Sequence, residues 1–232
     1  MKKALKNYYN KDYFKKRDHL DLHLAETIKI LMNEKGFRGI LDVGCGTGQL
    51  INYLNNQGFE VSGCDLSVEA IRLAPNKIRN KIKRATATRL PFKNESFDLV
   101  ASISVIEHLT KAQATRFIKE AKRVLKKGGF IFLVTPNFSS PIRYFQKEKW
   151  FAYSDPTHVF YYTPRTLSKK LKAYGFKNVK LQFRTLYSPP YEWEFPGVLQ
   201  SLPKFAKSIL TYLLISTRFS FVRNSFWIAA QK

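Results

Sequence analysis

The chain has 232 residues, 44% of them hydrophobic and 25% charged, which is the composition of one globular domain with a sizeable core. Eleven glycines and ten prolines are too few for a disordered or fibrous chain, and two cysteines exclude a disulfide framework and point to a reducing compartment. The net charge of +23 is the abnormal quantity: residues 37–66 carry one base against three acids, every other stretch is net positive, and residues 197–232 hold five bases and no acid. Such a surface attracts nucleic acid, anionic lipid or a phosphorylated substrate, unless the spread-out lysines serve solubility alone. No signal-peptide stretch follows Met1, and no run approaches the ~18 apolar residues of a membrane span, so a cytoplasmic protein is expected.

Residues 1–19, polar and aromatic, read as an arm or lid. Leu20, Leu24, Ile28 and Leu31 recur at helical spacing, so a helix is predicted over about 19–34, stopping at Gly36. A short apolar strand at 39–44 runs into glycines, and Leu50, Ile51 and Leu54 mark the helix after it. A second strand, 59–65, ends on Asp65. Ser67 is placed to cap the next helix. Strands follow at 81–85 and 97–102, then a helix at about 111–126 closed by Gly128-Gly129, then a continuously apolar fifth strand at 130–134. Strands alternating with helices predict a parallel sheet with right-handed crossovers. Beyond it lie an aromatic loop over 136–163, a helix from Thr166 to Tyr174, a strand over 176–184 and a final strand from Phe226 to Ala230. One domain is expected over 1–232: an arm and helix (1–36), a core (37–137), an aromatic loop (138–163) and a basic apolar insertion (188–223).

Chemistry concentrates at Asp42-Val43-Gly44-Cys45-Gly46-Thr47-Gly48, where a strand turns into a helix. Glycines let backbone approach a ligand, and the helix start offers unpaired N–H groups. Asp65, 17 residues after Gly48, stands where a carboxylate can accept both ribose hydroxyls of a nucleoside. The spacing is G-x-G-x-G, not the dinucleotide G-x-G-x-x-G. Asp42 would repel a pyrophosphate but suits a cationic sulfonium amino acid.

This loop, with Asp65, Leu90-Pro91-Phe92, Ser96 to Val100, Glu107-His108-Leu109 and Gly128-Gly129, resembles the class I S-adenosylmethionine-dependent methyltransferases, in particular the group that includes ubiquinone-pathway O-methyltransferases. The resemblance is strong over about 37–137 and weaker over 155–185. It implies a Rossmann-like α/β fold with a seven-stranded, mostly parallel sheet of order 3-2-1-4-5-7-6 and an insertion before the antiparallel last strand. It implies S-adenosyl-L-methionine held by Asp42, Gly44, Gly46, Gly48, Asp65, Thr86, Ala87 and Ile103. Thr86 stands where relatives carry an acid for the adenine amino group, so a hydroxyl takes that place here.

On the acceptor side, His108 follows the fourth strand and His158 lies in the aromatic loop, both at the carboxyl edge where open α/β sheets bind ligands. His19 and His23 fall on the first helix. Glu107, His108 and His158 are therefore the candidate catalytic residues. Related O-methyltransferases carry Glu-x-x-Glu-His here with a later histidine, and hold a divalent metal. Ser104 replaces the first Glu, but two histidines and a carboxylate still suffice for Mg, Mn or Zn with open positions; the alternative is a structural His pair. The aromatic loop, with Arg143 and Lys149, is suited to stacking a planar acceptor and binding an anion, or to capping the sheet edge. Ser188-Pro189-Pro190-Tyr191 resembles a base-gripping tetrapeptide but sits too late in the chain, so it reads as a turn. Residues 198–219 resemble an interfacial helix for anionic membrane, and equally a core insertion or dimer face.

The expected function is methylation of a hydroxyl on a small or lipid-linked acceptor, with peripheral contact to the inner membrane face. The alternatives are RNA methylation, favoured by the charge, and a non-catalytic cofactor-binding module, disfavoured by the intact loop.

Overall fold

The computed structural model describes residues 10–17, 19–182, 201–203, 205–207, 209–210 and 224–232. Helix α1 (Lys11–Arg17) lies within the segment read as an arm, and α2 (Leu22–Glu34) starts where Asp21 accepts the His23 and Leu24 N–H groups. The sheet strands are β1 (Gly39–Val43), β2 (Glu60–Asp65), β3 (Ile82–Arg84), β4 (Phe97–Ile103), β5 (Leu125–Pro136), β6 (Lys177–Gln182) and β7 (Ser225–Gln231). Between them lie α3 (Gln49–Asn56), α4 (Val68–Leu73), α5 (Asn76–Arg79), α6 (Lys111–Val124), α7 (Ile142–Gln146) and α8 (Pro164–Ala173).

The strand order is β3-β2-β1-β4-β5-β7-β6, with β7 antiparallel to both β5 and β6, as expected. Apolar layers cover both faces. One joins α6 and α8 to the sheet through Phe117, Ile118, Leu167 and Leu171; the other joins α2 and α3 through Ile28, Met32, Ile51 and Leu54. Strands buried on both faces are largely apolar for that reason: all five β1 residues are buried, and Asp42 is the one charged residue among them.

One boundary differs from expectation. Gly128-Gly129 does not close the helix; the chain turns extended at Leu125, and both glycines lie inside a 12-residue β5. Gly129 is required there because a Cβ would stand 2.8 Å from the Asp98 carbonyl oxygen. The aromatic loop also contains α7 and a 3₁₀ turn over Lys147–Lys149. Residues 205–207 and 209–210 of the basic insertion are helical, with Phe205 and Ile209 exposed. The Ser188-Pro189-Pro190-Tyr191 turn, and most of the insertion over 188–223, lie outside the described residues.

Side chains of α6 set the β3–β4 connection. Glu120 accepts the Leu90 N–H at 2.8 Å, and Arg123 donates to the carbonyls of Leu90 (3.0 Å) and Phe92 (2.8 Å). The Arg123 guanidinium, hydrogen-bonded to Glu120, holds that carboxyl below its usual range.

Candidate active site

The carboxyl ends of β1 to β4 carry the whole expected cofactor set. Asp42 lies on β1, Gly44, Gly46 and Gly48 follow it, Asp65 ends β2, Thr86 and Ala87 follow β3, and Ile103 ends β4. Gly48 begins α3 at φ 82°, where an added Cβ would also stand 2.6 Å from Ile78 Cδ1. Gly44, at φ 77°, lets Val105 pack onto the loop; a Cβ there would meet Val105 Cγ2 at 2.3 Å. That contact ties the glycine loop to the turn carrying Glu107 and His108.

Asp65 organises the cradle. Its Oδ2 accepts the Gly46 N–H at 2.9 Å, its Oδ1 accepts the Ser67 N–H at 2.8 Å, and its carbonyl accepts the Ala85 N–H at 3.0 Å, bringing the Thr86 turn alongside. Burial raises the Asp65 pKa against these hydrogen bonds. Asp42 is buried, and burial together with the Asp65 charge pushes its carboxyl up to about 7. A cation arriving here would favour the ionised carboxylates, which is what a sulfonium or α-ammonium would do. Thr86 Oγ1 lies 3.0 Å from Thr88 Oγ1, on an exposed turn. The residues thus fit S-adenosylmethionine. Burial, then Asp42, keeps the Cys45 thiol protonated, and burial pushes Cys64 up to about 12.

The acceptor side is assembled across about 50 residues of chain. Glu107, His108 and His158 offer ligand atoms within 4.8 Å of one another, and the two imidazole centroids are 4.7 Å apart. The backbone carbonyl of Glu107 accepts the N–H groups of Val159 (2.9 Å) and Phe160 (3.1 Å), which fixes the loop bearing His158. The Glu107 carboxyl is buried and accepts the Thr135 hydroxyl at 3.0 Å through Oε2, with Ser104 beside it, while Oε1 has no hydrogen-bond partner among the described residues. Burial pushes this group up to about 7. Burial and the Glu107 charge push the nearby Tyr162 phenol up to about 12.

The hydrogen-bond network assigns both imidazole tautomers. His158 Nδ1–H donates to the Ala152 carbonyl at 2.7 Å. Thr157 Oγ1–H donates to Asp155 at 2.5 Å, so its lone pair and the Thr157 carbonyl face His108 Nδ1–H at 2.8 and 3.2 Å. Each ring therefore keeps its lone pair on Nε2. Asp155 is buried; burial alone would raise its carboxyl, but Thr157 and the two histidines hold it below the usual range. Its Oδ2 lies 4.0 Å from His158 Nε2. Sequence reasoning found the histidines but missed Asp155, Thr157 and Thr135, whose only signal was Asp155-Pro156-Thr157 beside His158. His19 and His23 are not in the cluster; the first precedes α2 and is exposed, the second is half-buried in its first turn.

This sheet order, with a glycine loop after β1 and an acid ending β2, is the class I methyltransferase fold. Residues 41–133 match the family model described as a methyltransferase domain, so the core of the chain is such a domain. The chain is 37% identical over 139 residues to an uncharacterised protein of Methanocaldococcus jannaschii (57% of this chain, 52% of that one). It is 35% identical over 121 residues to the human "Probable tRNA methyltransferase 9B" (52% and 26%), and 31% identical over 126 residues to the "Ubiquinone biosynthesis O-methyltransferase" of a Chelativorans species (52% and 49%). The chain thus spans about half the length, or less, of these relatives. A SAM-dependent methyltransferase structure from Archaeoglobus fulgidus superposes with a TM-score of 0.61 at 22% identity, covering 90% of this chain and 94% of that one.

Proposed function

We propose that the protein is an S-adenosylmethionine-dependent methyltransferase acting on a hydroxyl of a small or lipid-linked acceptor. The observation that carries this reading is the Glu107, His108 and His158 cluster, joined through Val105 to the glycine loop. Held in the loop, with Asp65 on its ribose and Asp42 near its cationic end, the cofactor would supply an electrophilic methyl group to the acceptor oxygen and leave as its neutral thioether. An imidazole Nε2 takes the hydroxyl proton. Tautomers fixed from behind keep that lone pair ready, and Asp155, 4.0 Å from His158 Nε2, stabilises the imidazolium.

The cluster also fits a divalent metal. Glu107 Oε1 is buried without a partner, and both imidazoles donate their other N–H to fixed acceptors, as metal-bound histidines do. Glu107, His108 and His158 would hold it, and it would lower the pKa of the acceptor hydroxyl. Incubation with labelled cofactor and fractionated lipid, metabolite and RNA pools tests the reading. Label in a chelator-sensitive, Mg-, Mn- or Zn-restored lipid or metabolite product supports the metal form, and label without metal dependence supports the simple base.

RNA methylation is the second reading, favoured by the +23 charge and by the tRNA methyltransferase relative. Label confined to RNA, with affinity falling steeply with salt, would select it. No described helix is long and apolar enough to cross a membrane. We assign the protein to the cytoplasm, with the basic insertion touching anionic membrane; deleting 198–219 is expected to abolish vesicle binding and leave cofactor affinity intact.

A further inference from the structure

The loop beside the histidine cluster holds a cation whose structural role is incomplete. Arg143, half-buried on α7, has its guanidinium carbon 4.1 Å from the Phe138 ring centroid and 4.3 Å from that of Tyr144. Rings at this range hold a guanidinium while leaving the in-plane N–H groups for an oxygen ligand. Among the described residues, one of the five Arg143 donors reaches a partner, the Tyr153 hydroxyl, at a long 3.3 Å. Nε is buried and has no partner among them. Among the described residues no carboxylate pairs with Arg143, whereas other half-buried cations have either a carboxylate (Arg123, Lys29) or an oxygen acceptor at 2.8–3.0 Å (Lys81, Lys122, Lys170). An uncompensated, partly desolvated cation is costly, and a folded protein retains one where something else completes it.

Its position identifies that something. Phe138 stacks on Tyr161 (5.4 Å, 22°), Tyr153 meets Tyr161 edge-on (5.4 Å), and Tyr161 contacts the His158 ring at 6.2 Å. Two rings, Phe138 and Tyr161, thus lie between the guanidinium and the candidate base. We propose that Arg143 anchors an anionic group, carboxylate or phosphate, of a ring-bearing acceptor whose hydroxyl reaches His158. The fork of a guanidinium matches both anions, and the flanking rings match a planar body. This rests on the acceptor-side reading above.

The test is calorimetry, with Trp150 emission as a second readout, in roughly physiological salt so that diffuse attraction to the basic surface is screened. The probes are benzoate, phenyl phosphate and phenol, which share a ring and differ in the anion. Benzoate or phenyl phosphate should bind at least about tenfold more tightly than phenol, and which of them leads identifies the anion. Arg143→Gln should abolish that advantage, while Arg143→Lys, which also serves if the Gln variant does not fold, should retain part of it. Equal binding of all three probes, no binding of either acid, or an advantage that survives Arg143→Gln overturns the proposal. So does a single-stranded RNA whose binding alone responds to Arg143→Gln. Cofactor affinity, titrated separately, should not change in either variant. A protein that prefers the acids but binds no cofactor would sink the methyltransferase reading and leave the anion site standing.

Discussion

The two halves of the site are built in opposite ways. The proposed cofactor cradle is mostly backbone: glycines at positive φ, N–H groups and one organising carboxylate, concentrated between Asp42 and Ser67 and completed by Thr86, Ala87 and Ile103. The acceptor side is side chain: imidazoles, a buried acid and stacked rings that meet only because Glu107 binds a loop about 50 residues further on. Backbone geometry tolerates little variation and so leaves a short, readable motif. A side-chain assembly can be changed one residue at a time without disturbing the fold, which is how one scaffold serves many acceptors.

If the halves are separable, damage to one should spare the other. The largest effect is expected at His158: His158→Ala should lower turnover about 10²–10⁴-fold with cofactor affinity nearly unchanged, measured by initial rates and calorimetry. A parallel loss of cofactor binding would show that the halves are coupled. Next, with Asp65 on the ribose as proposed, Asp65→Ala should remove two charge-assisted hydrogen bonds and weaken cofactor binding by about 2–4 kcal/mol. An unchanged titration curve would remove Asp65 from the cofactor site.

Gly48→Ala tests the claim that the cradle is backbone-limited. Its positive φ and the clash with Ile78 should cost about 1–3 kcal/mol of stability in denaturant melts; a neutral result would show that the loop adapts. Asp42 sharpens the comparison through pH. Its carboxyl titrates near 7 without ligand and must be ionised to attract a cation, so cofactor affinity should fall as pH drops below about 7, by up to tenfold per pH unit. In the ligand-free protein the same raised pKa acts the other way. The folded state holds a proton that the unfolded state has released, so this group's contribution to stability falls as pH rises from about 4 to 7. A pH-independent cofactor affinity over 5–8 would place Asp42 away from the cation. The smallest effect is expected at Thr157→Val, about three- to tenfold in kcat, because the Thr157 carbonyl still holds His108; Thr157→Ser should restore the rate.

Legibility followed the same division. Periodicity placed most strands and helices, and the family resemblance carried by the glycine loop implied the strand order and the candidate cofactor residues, because those depend on local pattern and on backbone that only glycine permits. What was missed came from distant chain. Gly128-Gly129 reads as a helix stop, yet the pull of β4 on Leu125 draws the chain extended first. The sequence did not single out Glu120 and Arg123 on α6, and only the fold shows them gripping the Leu90–Phe92 backbone. Thr135, apolar in context on β5, gave no sign of its bond to Glu107.

The strand order has a consequence for how the protein is made. β5 has its outer neighbour in β7, and among the described residues β6 pairs only with β7. Eighty-eight residues, 137–224, separate Pro136 from Ser225, so at roughly 5–20 residues per second the apolar edge of β5 waits about 4–18 s on the ribosome for its partner. During that interval the nascent chain exposes the Phe130–Val134 edge, a template for mispairing. Slow translation of this stretch should therefore raise aggregation during synthesis, and holdase chaperones should be found on chains stalled before Ser225.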